Sequence, residues 1–210
     1  MKILPLLGSY ELIVEKADQS FRSVQEKHGS LMACQLHCAD CCHAVFGLFL
    51  IEAANLKRHF DALDVQEKKE VLLRCNETER GLKRLERKLE MHGEAPEMQS
   101  LILARERIRC PLLDENQECA LYDHRPITCR VYGIPTKVQG RARVCGKTAF
   151  EKAVSYPLFD LDGAYKGLYA LSKELLIEAG CEKTDKAALL ISIPRAITAS
   201  LESLVRETFG

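Results

Sequence analysis

The spacing of apolar side chains predicts helices at both ends of the 210-residue chain. At the start, Ser9 is placed to cap an amphipathic helix that reaches a stop at Gly29. The chain becomes helical again over 160–210, where one helix is predicted over 164–179 and a last one over 194–208. These end regions are interpreted as scaffold, because their pattern is that of packing faces.

Two long apolar seams lie nearer the middle of the chain. Apolar positions alternate by three and four over 44–63, and they do so again after Asp64, which with Glu67 resembles a capping box. Because a short turn joins the seams, they predict an antiparallel helical hairpin over 44–92. The second arm is highly charged outside its seam, so it packs on its own partner helix or on a second subunit. A homodimer through the hairpin is therefore one expectation.

Short elements are predicted for the Pro- and Gly-rich segment that follows the hairpin. Residues 101–103 are compatible with a strand as well as with a helix. The predicted elements are a helix over 96–107, a β-hairpin of 112–113 with 120–122, a helical turn over 125–132 and a β-hairpin turning at 139–140. The fold class is therefore mostly α, in a single domain over 1–210. The helical hairpin and the C-terminal helices surround a small cysteine-rich metal-binding subdomain with short β-hairpins, which spans 34–145.

The ten cysteines of the chain are its main candidates for a functional site. Four fall within nine residues, at Cys34, Cys38, Cys41 and Cys42. On a helix this spacing would place all four on one face. Four more follow in the turn-rich segment, at Cys110, Cys119, Cys129 and Cys145. Thiolate is a soft ligand for zinc, iron or an iron–sulfur cluster, and turns let distant ligands converge, so these eight are the candidate metal ligands.

The number of thiols exceeds what one zinc ion needs. Neighbouring side chains on a helix diverge by about 100 degrees, so Cys41 and Cys42 are poorly placed to share one tetrahedral ion. Two four-ligand sites remain open as an interpretation, and so does one cluster with spare thiols for redox or substrate work. Cys75 lies on the helical seam and is expected in the core, and Cys181 is expected to be incidental.

Composition narrows the partners and the compartment. The net charge is zero and there is no strongly basic tract, so nucleic acid is not expected as a partner. No segment approaches the roughly 18 apolar residues of a membrane-spanning helix, and the N-terminal apolar run is too short for a signal peptide. A cytoplasmic, reducing location is therefore expected, in which the cysteines act as ligands or redox groups rather than as a disulfide framework.

The spacing Cys34-x3-Cys38-x2-Cys41 also matches the cluster motif of radical S-adenosylmethionine enzymes. Those enzymes resemble partial barrels in which the motif follows a first strand. Here a helix is predicted on each side of the motif and no alternation of strands and helices is found. The match is therefore interpreted as accidental.

A different family matches both halves of the cysteine pattern. The first motif, Cys110-Pro-Leu-Leu and the run Tyr122-x2-Arg-Pro-x2-Cys-Arg together resemble the YkgJ-like cysteine-cluster family, a domain described as zinc- or iron-chelating, with flagellin lysine N-methylase as a larger relative. The resemblance covers 34–145 and implies a metal or iron–sulfur centre held by the same eight cysteines. This chain departs from the family pattern at Cys34: three residues separate Cys34 from Cys38, whereas the family has two at this place. For most members it implies no defined reaction.

Arg125 and Arg130 come with the same motif and are candidate cofactor-binding residues. They either neutralise a thiolate-rich centre and tie the carbonyls of the turn, or bind an anion or substrate beside the metal. His37, His43 and His124 are interpreted as neighbours of the ligands rather than as ligands.

Three functions remain open. The first is an iron–sulfur protein with a redox or cluster-dependent catalytic role, its cluster shielded by Phe46, Leu112 and Val131. The second is a structural zinc protein whose helices bind a partner. The third, implied only by the family's larger relative, is an S-adenosylmethionine-dependent lysine methylase. The partner is an unidentified protein or small molecule in each case.

Overall fold

The computed structural model describes residues 3–35, 37–93, 95–151 and 153–207. Its helices are α1 Ile3–His28, α2 Leu50–Ala62, α3 Val65–Met91, α4 Pro96–Arg105, α5 Ile127–Val131, α6 Leu161–Glu178, α7 Ile193–Thr198 and α8 Leu201–Glu207. Its strands are β1 Thr136–Val138, β2 Arg141–Arg143 and β3 Phe159–Asp160. The predicted fold class is confirmed, because the fold is mostly helical with a small sheet and a cysteine-rich region.

Helix α1 begins at Ile3, so the prediction of a cap at Ser9 was wrong. Pro5 lies in the first turn, where a backbone N–H has no intrahelical partner and its absence costs nothing. The apolar face of α1 therefore extends further back, and Leu6 and Leu7 join Tyr10 in the core. The predicted end near His28 is confirmed.

Helix α2 begins at Leu50, six residues later than the predicted start at 44. Residues 44–49 are extended because they pair with segments distant in sequence. Ala44 forms an antiparallel bridge with Arg107. Leu48 and Ile191 exchange two backbone hydrogen bonds of 2.8 Å. The apolar residues of 44–49 have helical spacing, but pairing with distant segments overrides that local preference.

Helix α3 starts as predicted, because the Asp64 carboxylate accepts hydrogen bonds from the backbone N–H groups of Gln66 and Glu67. A two-residue turn joins α2 to α3. Helix α3 packs on α7, whereas α2 lies among α1, α6, α7 and α8. Gly81 of α3 lies against Ile108, and a Cβ there would come within 2.9 Å of the Ile108 side chain. Cys75 is 2% exposed, which confirms its predicted place in the core.

The C-terminal helices differ from the prediction in one respect. Helix α6 is confirmed, and Gly180 closes it with a φ of +78°. The predicted last helix is divided into α7 and α8 at 199–200. Ala199 is extended, and the Ser200 hydroxyl accepts a hydrogen bond from the Ser203 backbone N–H, which is the usual geometry of a new N-cap. Thr208, the predicted end, lies outside the described residues.

The short elements follow the predicted turn chemistry. Residues 101–103 are helical, within α4. The hairpin at 139–140 is confirmed, since β1 pairs antiparallel with β2 and both turn residues have positive φ. The other hairpin is reduced to a bridge between Leu113 and Cys119. Strand β3 pairs parallel with β1, which gives the order β2-β1-β3.

Packing of α1 against both α5 and α6 places the cysteine-rich segment beside the helical core. Within the ranges that the structure describes, no helix combines the length and the apolar character that crossing a membrane requires.

Candidate metal centre

The first cysteine motif is irregular apart from a single 3-10 turn at Cys41–His43, so the prediction that one α-helix face aligns its four sulfurs was wrong. Its backbone makes consecutive turns, in which Cys38 N–H donates to the Gln35 carbonyl (2.9 Å) and Cys42 N–H donates to the Ala39 carbonyl (3.0 Å). His37 has a φ of +65°, which a continuous helix does not allow. The turns bring the sulfurs together in a way that helical spacing does not describe.

A single cavity of about 470 Å³ collects most of the candidate ligands. Seven of the eight predicted cysteines line it: Cys34, Cys38, Cys41, Cys42, Cys119, Cys129 and Cys145. Cys110 does not line it. It nevertheless lies close enough to two of the other thiols to interact with them. Burial first, and then the charges of Cys119 and Cys41, raise the pKa of Cys110 to about 12. The structure thus brings both halves of the cysteine pattern to one place.

Backbone hydrogen bonds dock the second set of thiols on the first. Cys110 N–H donates to the Cys42 carbonyl (2.7 Å), and Ile108 N–H donates to the His43 carbonyl (3.0 Å). Leu113 N–H then donates to the Cys110 carbonyl (3.1 Å), and the bridge to Cys119 closes the loop. The two sequence motifs are therefore one structural unit.

Glu52 holds the helix that carries Cys129, and sequence reasoning missed it. Its carboxylate accepts hydrogen bonds from the backbone N–H groups of Ile127 (3.0 Å) and Phe49 (3.1 Å). It therefore links the N-terminus of α5 to that of α2. Glu52 is 4% exposed, and burial raises its pKa to about 7 although both hydrogen bonds oppose the rise. The available signal was a lone carboxylate in an otherwise apolar run at the start of α2.

The guanidinium of Arg130 is engaged in hydrogen bonds with other residues of the chain. Its guanidinium donates to both Asp18 oxygens (3.0 and 2.7 Å), to the Arg125 carbonyl (2.8 Å) and to the Asp123 carbonyl. It is not among the residues that line the cavity. This geometry favours the structural interpretation of Arg130 over cofactor binding.

Arg125, by contrast, lines the cavity. Its Nε donates to the Tyr122 carbonyl (2.7 Å), and its guanidinium lies 3.6 Å from the centre of the Tyr122 ring. The positive charge acts on the nearby thiols, lowering the pKa of Cys41 and opposing the rise at Cys129. Arg125 is therefore placed to compensate negative charge in the cavity.

Adjacent Cys41 and Cys42 have sulfurs 4.0 Å apart. The hydrogen bond between the two thiols is the main reason that the pKa of Cys41 is lowered to about 7, and the same bond raises the pKa of Cys42. Cys41 is therefore the thiol that most readily becomes a thiolate ligand.

The remaining thiols influence each other in two groups. Burial, followed by the Cys38 and Cys145 sulfurs, raises the pKa of Cys34 to about 12. Burial raises the pKa of Cys129 well above its usual value, and the neighbouring sulfurs that add to this are Cys41, Cys110 and Cys119. Thiolates so close together repel, and a bound cation would relieve that repulsion.

The carboxylate of Asp40 lies beside Cys145 at the cavity, and sequence reasoning missed it as well. Its Oδ2 accepts a hydrogen bond from the Cys145 thiol (3.5 Å), and its Oδ1 pairs with Arg107 (2.6 Å) and Lys147 (3.4 Å). Burial acts to raise the pKa of Asp40, but Arg107, Cys145 and Lys147 outweigh it, so the pKa is lowered. The carboxylate is therefore ionised beside the thiols.

The apolar wall was predicted from the wrong residues. Phe46, Leu112 and Val131 do not line the cavity, since Leu112 and Val131 are buried in the helical core and Phe46 lies beside a separate small recess. The wall is instead made by Phe21, Leu113, Tyr122 and Tyr132, together with polar side chains that include Gln25. Phe21 and Gln25 come from α1, whose contribution could not be read from the motif.

Gly133 lies directly beside the Cys34 sulfur. A Cβ at this position would be 1.9 Å from the Cys34 Sγ, which no real side chain tolerates. The glycine therefore leaves the room that the Cys34 sulfur occupies beside the backbone.

The three histidines occupy different surroundings. His37 lines the cavity, and its Nδ1 is 3.1 Å from the Asn116 carbonyl oxygen. The Nδ1 of His43 is 3.0 Å from the Ala39 carbonyl oxygen. His124 stacks on His59, with ring centres 3.3 Å apart. None of these contacts is to a cysteine, in keeping with the interpretation of all three as neighbours.

The side chains around the cavity have the chemistry of metal ligands but are spread around an open space. Among the residues that the structure describes, no three His, Cys, Asp or Glu side chains are already close enough together to hold an ion. The thiols instead surround a space the size of a small-molecule pocket. Soft sulfur donors, with the carboxylates of Asp40 and Glu118 and the His37 ring beside them, fit zinc, iron or an iron–sulfur group by their chemistry.

Comparison with known proteins agrees with this donor set. Residues 33–146, more than half of the chain, match the model of the family CxxCxxCC, whose description is "Putative zinc- or iron-chelating domain". The match confirms the cysteine-cluster resemblance over the predicted segment. No curated protein and no solved structure matches the chain.

Proposed function

Because the chain belongs to the CxxCxxCC family of zinc- or iron-chelating domains, we propose that its cysteines hold an iron–sulfur cluster with a redox or cluster-dependent catalytic role. Metal binding follows from the family itself. The observation that supports the finer proposal is the cavity of about 470 Å³ lined by seven thiols.

Cavity size favours a cluster over a structural zinc ion. A structural zinc site is closed, with four ligands directly around one ion at about 2.0–2.3 Å. A cavity of about 470 Å³ lies instead within the range of pockets that take small molecules, roughly 300–1,000 Å³. This volume accommodates a polynuclear centre and leaves room for a reactant beside it.

The residues of the chain have separate tasks in this proposal. The cysteines bind the metal, and Arg125 offsets the negative charge of several thiolates. Phe21, Leu113 and Tyr132 restrict water at the cavity wall, which tunes the potential of a metal centre. A cluster held there would supply electron transfer or an open iron position. Arg130 and Glu52 keep α5, and with it Cys129, in place.

The proposal assumes a cytoplasmic, reducing compartment. All ten cysteines are free thiols, and thiols at this density remain reduced where glutathione and thioredoxin operate.

Elemental analysis with an acid-labile sulfide assay, on protein purified without oxygen, tests the proposal. We expect iron together with a matching amount of sulfide and a brown colour. Zinc without sulfide would overturn the iron–sulfur assignment and leave a structural centre.

A structural zinc protein that binds a partner is the second candidate, and one observation favours it. Leu72 and Leu73 of α3 are 41% and 63% exposed, which is unusual for adjacent leucines on a long charged helix. A second copy of the chain is the first partner to test. Light scattering of the wild type and Leu73→Glu would show a dimer that the variant loses if this candidate is correct.

A further inference from the structure

We propose that helix α3 positions Cys110 for the metal centre through the side chains of Arg74 and Thr78. This positioning role rests on the proposed function, because it assumes that Cys110 takes part in metal binding, and it adds the residues that hold this cysteine in place. Neither Arg74 nor Thr78 lines the cavity, so both act on the centre only through the backbone beside Cys110.

Residues 106–111 contact the first cysteine motif and α3 at the same time. Toward the motif, Ile108 N–H donates to the His43 carbonyl (3.0 Å) and Cys110 N–H donates to the Cys42 carbonyl (2.7 Å). Because both bonds come from one short stretch of backbone, whatever holds 106–111 also sets where Cys110 lies relative to the motif.

Helix α3 contacts the same stretch at successive points along its length. These are the ion pair of Lys88 with Glu106 (3.0 Å), the close approach of Gly81 to Ile108, and the hydrogen bonds of Thr78 to Arg109 (2.8 Å) and of Arg74 to Pro111 (2.8 Å). The helix positions fall in number as those of the stretch rise, so the two run antiparallel. The contacts of Thr78 and Arg74 flank Cys110 on either side.

Every backbone polar group from the Arg109 carbonyl to the Pro111 carbonyl has a hydrogen-bonding partner. Cys110 N–H donates to Cys42, and the Cys110 carbonyl accepts from Leu113 (3.1 Å). The carbonyls before and after Cys110 are bound by the α3 side chains, and Pro111 has no N–H to satisfy. The backbone of Cys110 is therefore held from two directions, which fixes the place from which its sulfur projects.

The Thr78 hydroxyl is committed to this stretch more than to its own helix. Its hydrogen bond to the Arg109 carbonyl (2.8 Å) is shorter than its contact with the Arg74 carbonyl in the preceding turn of α3 (3.2 Å). Thr78 is 7% exposed, and a buried carbonyl that loses its donor is costly. Thr78 is therefore a specific tie to residue 109 as well as part of the packing face of α3.

Arg74 makes the corresponding tie on the other side of Cys110. Its Nε donates to the carbonyl of Pro111, which is buried. Arg80 lies on the same helix, but its Nε donates to the Asn76 carbonyl of α3 itself (3.3 Å). The hydrogen bond of Arg74 therefore leaves the helix, whereas that of Arg80 stays within it.

Cys110 is the candidate ligand that depends most on such support. It is the one of the eight that does not line the cavity, and metal–ligand distances tolerate a change of only about 0.2 Å. A small shift of its backbone therefore decides whether its sulfur reaches a metal held by the other thiols.

Alkylation of each cysteine in the full chain, purified without oxygen, tests the role of Thr78. Thr78→Val removes the hydroxyl and keeps a similar shape, and peptide mass spectrometry locates the iodoacetamide label. We expect Cys110 to be alkylated about 2- to 10-fold faster in Thr78→Val, the change in local opening that loss of one hydrogen bond gives. Cys129, which Glu52 supports through α5, should keep its wild-type rate. Thr78→Ser keeps the hydroxyl and should restore the rate of Cys110.

Matched controls separate the hydrogen bonds from the residue types that make them. Thr198→Val removes a hydroxyl that donates to the Pro194 carbonyl within α7 (2.9 Å), so it should leave the alkylation of Cys110 unchanged. Arg74→Met should accelerate the alkylation of Cys110, whereas Arg80→Met should not.

Release of resident metal to EDTA from the same samples shows whether the position of Cys110 matters to the centre. Elemental analysis counts iron and zinc alike. Thr78→Val and Arg74→Met should release metal about 10- to 100-fold faster, as loss of a supporting partner does. The control variants should release it at the wild-type rate.

The outcomes separate the two proposals. Equal acceleration at every thiol, the core residue Cys75 included, would show general destabilisation and overturn the positioning role. An unchanged alkylation rate at Cys110, or unchanged metal release, would overturn it as well and leave metal binding intact. A wild-type chain that holds no metal would overturn the proposed function itself, and this result is distinct because the alkylation rates are measured without reference to metal.

Discussion

The helical core and the cysteine centre are ordered by different interactions. In the core, apolar packing suffices, and residues such as Leu168 and Leu175 of α6 are fully buried. In the centre, irregular backbone is held by side chains that bind it, notably Glu52 and Arg130, around a cavity of about 470 Å³.

Cysteine shows the difference most directly, because it occurs in both regions. Cys75 is 2% exposed and packs as a small apolar side chain on α3. Cys129 lines the cavity together with Cys41 and Cys119, and burial and these neighbouring sulfurs raise its pKa. The same residue type is therefore packing material in one region and ligand material in the other, and its neighbours decide which.

The largest expected effect is on stability alone, from a substitution in the helical core. Leu168→Ala should lower the free energy of unfolding by about 2–5 kcal/mol, because it leaves a cavity at a fully buried position. Metal per folded chain should not change, since Leu168 does not line the cavity. Urea unfolding followed by circular dichroism, with elemental analysis, checks both. Loss of metal from the folded variant would contradict the separation.

The next effect is the pH dependence that Glu52 introduces. Its pKa is about 7 in the folded chain against 4.5 when exposed, so the folded state alone holds the proton between these values. The contribution of Glu52 is therefore greatest below about pH 4.5 and is lost as the pH rises to 7, by up to roughly 3 kcal/mol. The stability difference between wild type and Glu52→Gln should fall across this window. A difference that is flat or rises would refute the assignment.

Arg130→Lys should destabilise the chain by about 2–3 kcal/mol, because lysine keeps the charge but loses the fork that reaches Asp18 and two carbonyls. Arg206→Lys is the matched control, because Arg206 forms an exposed pair with Glu202 and should change stability by less than about 0.5 kcal/mol. Equal unfolding midpoints in urea for the two variants would argue against a structural role for Arg130.

Gly133→Ala should cost roughly 1–3 kcal/mol, because its methyl group occupies the place of the Cys34 sulfur. Displacement of Cys34 should also weaken metal binding. Gly8→Ala, which has no neighbouring heavy atom within 4 Å, should leave metal unchanged and stabilise α1 by up to about 1 kcal/mol. Thermal unfolding and metal titration would show both, and unchanged metal affinity in Gly133→Ala would count against Cys34 as a ligand.

The sequence predicted what depends on local spacing. The capping box at Asp64, the glycine end of α6 and the core position of Cys75 are all confirmed, because each follows from neighbouring residues. It did not predict the extended backbone of 44–49, since the partner of Leu48 is Ile191, distant in sequence.

For the site, too, the sequence predicted the local pattern and not the contacts between distant residues. The cysteines were recognised by their number and turns, and seven of the eight line one cavity. Asp40 and Glu52 were not recognised, because a carboxylate gains its role only from the residues that pack around it. The ligand set itself remains a prediction.

Metal content of Cys129→Ser beside Cys75→Ser tests the central claim most directly. Both variants remove one thiol, but only Cys129 lines the cavity. Elemental analysis should find the full wild-type metal content in Cys75→Ser and a loss of at least one metal per chain in Cys129→Ser. Full metal retention in Cys129→Ser would contradict the account.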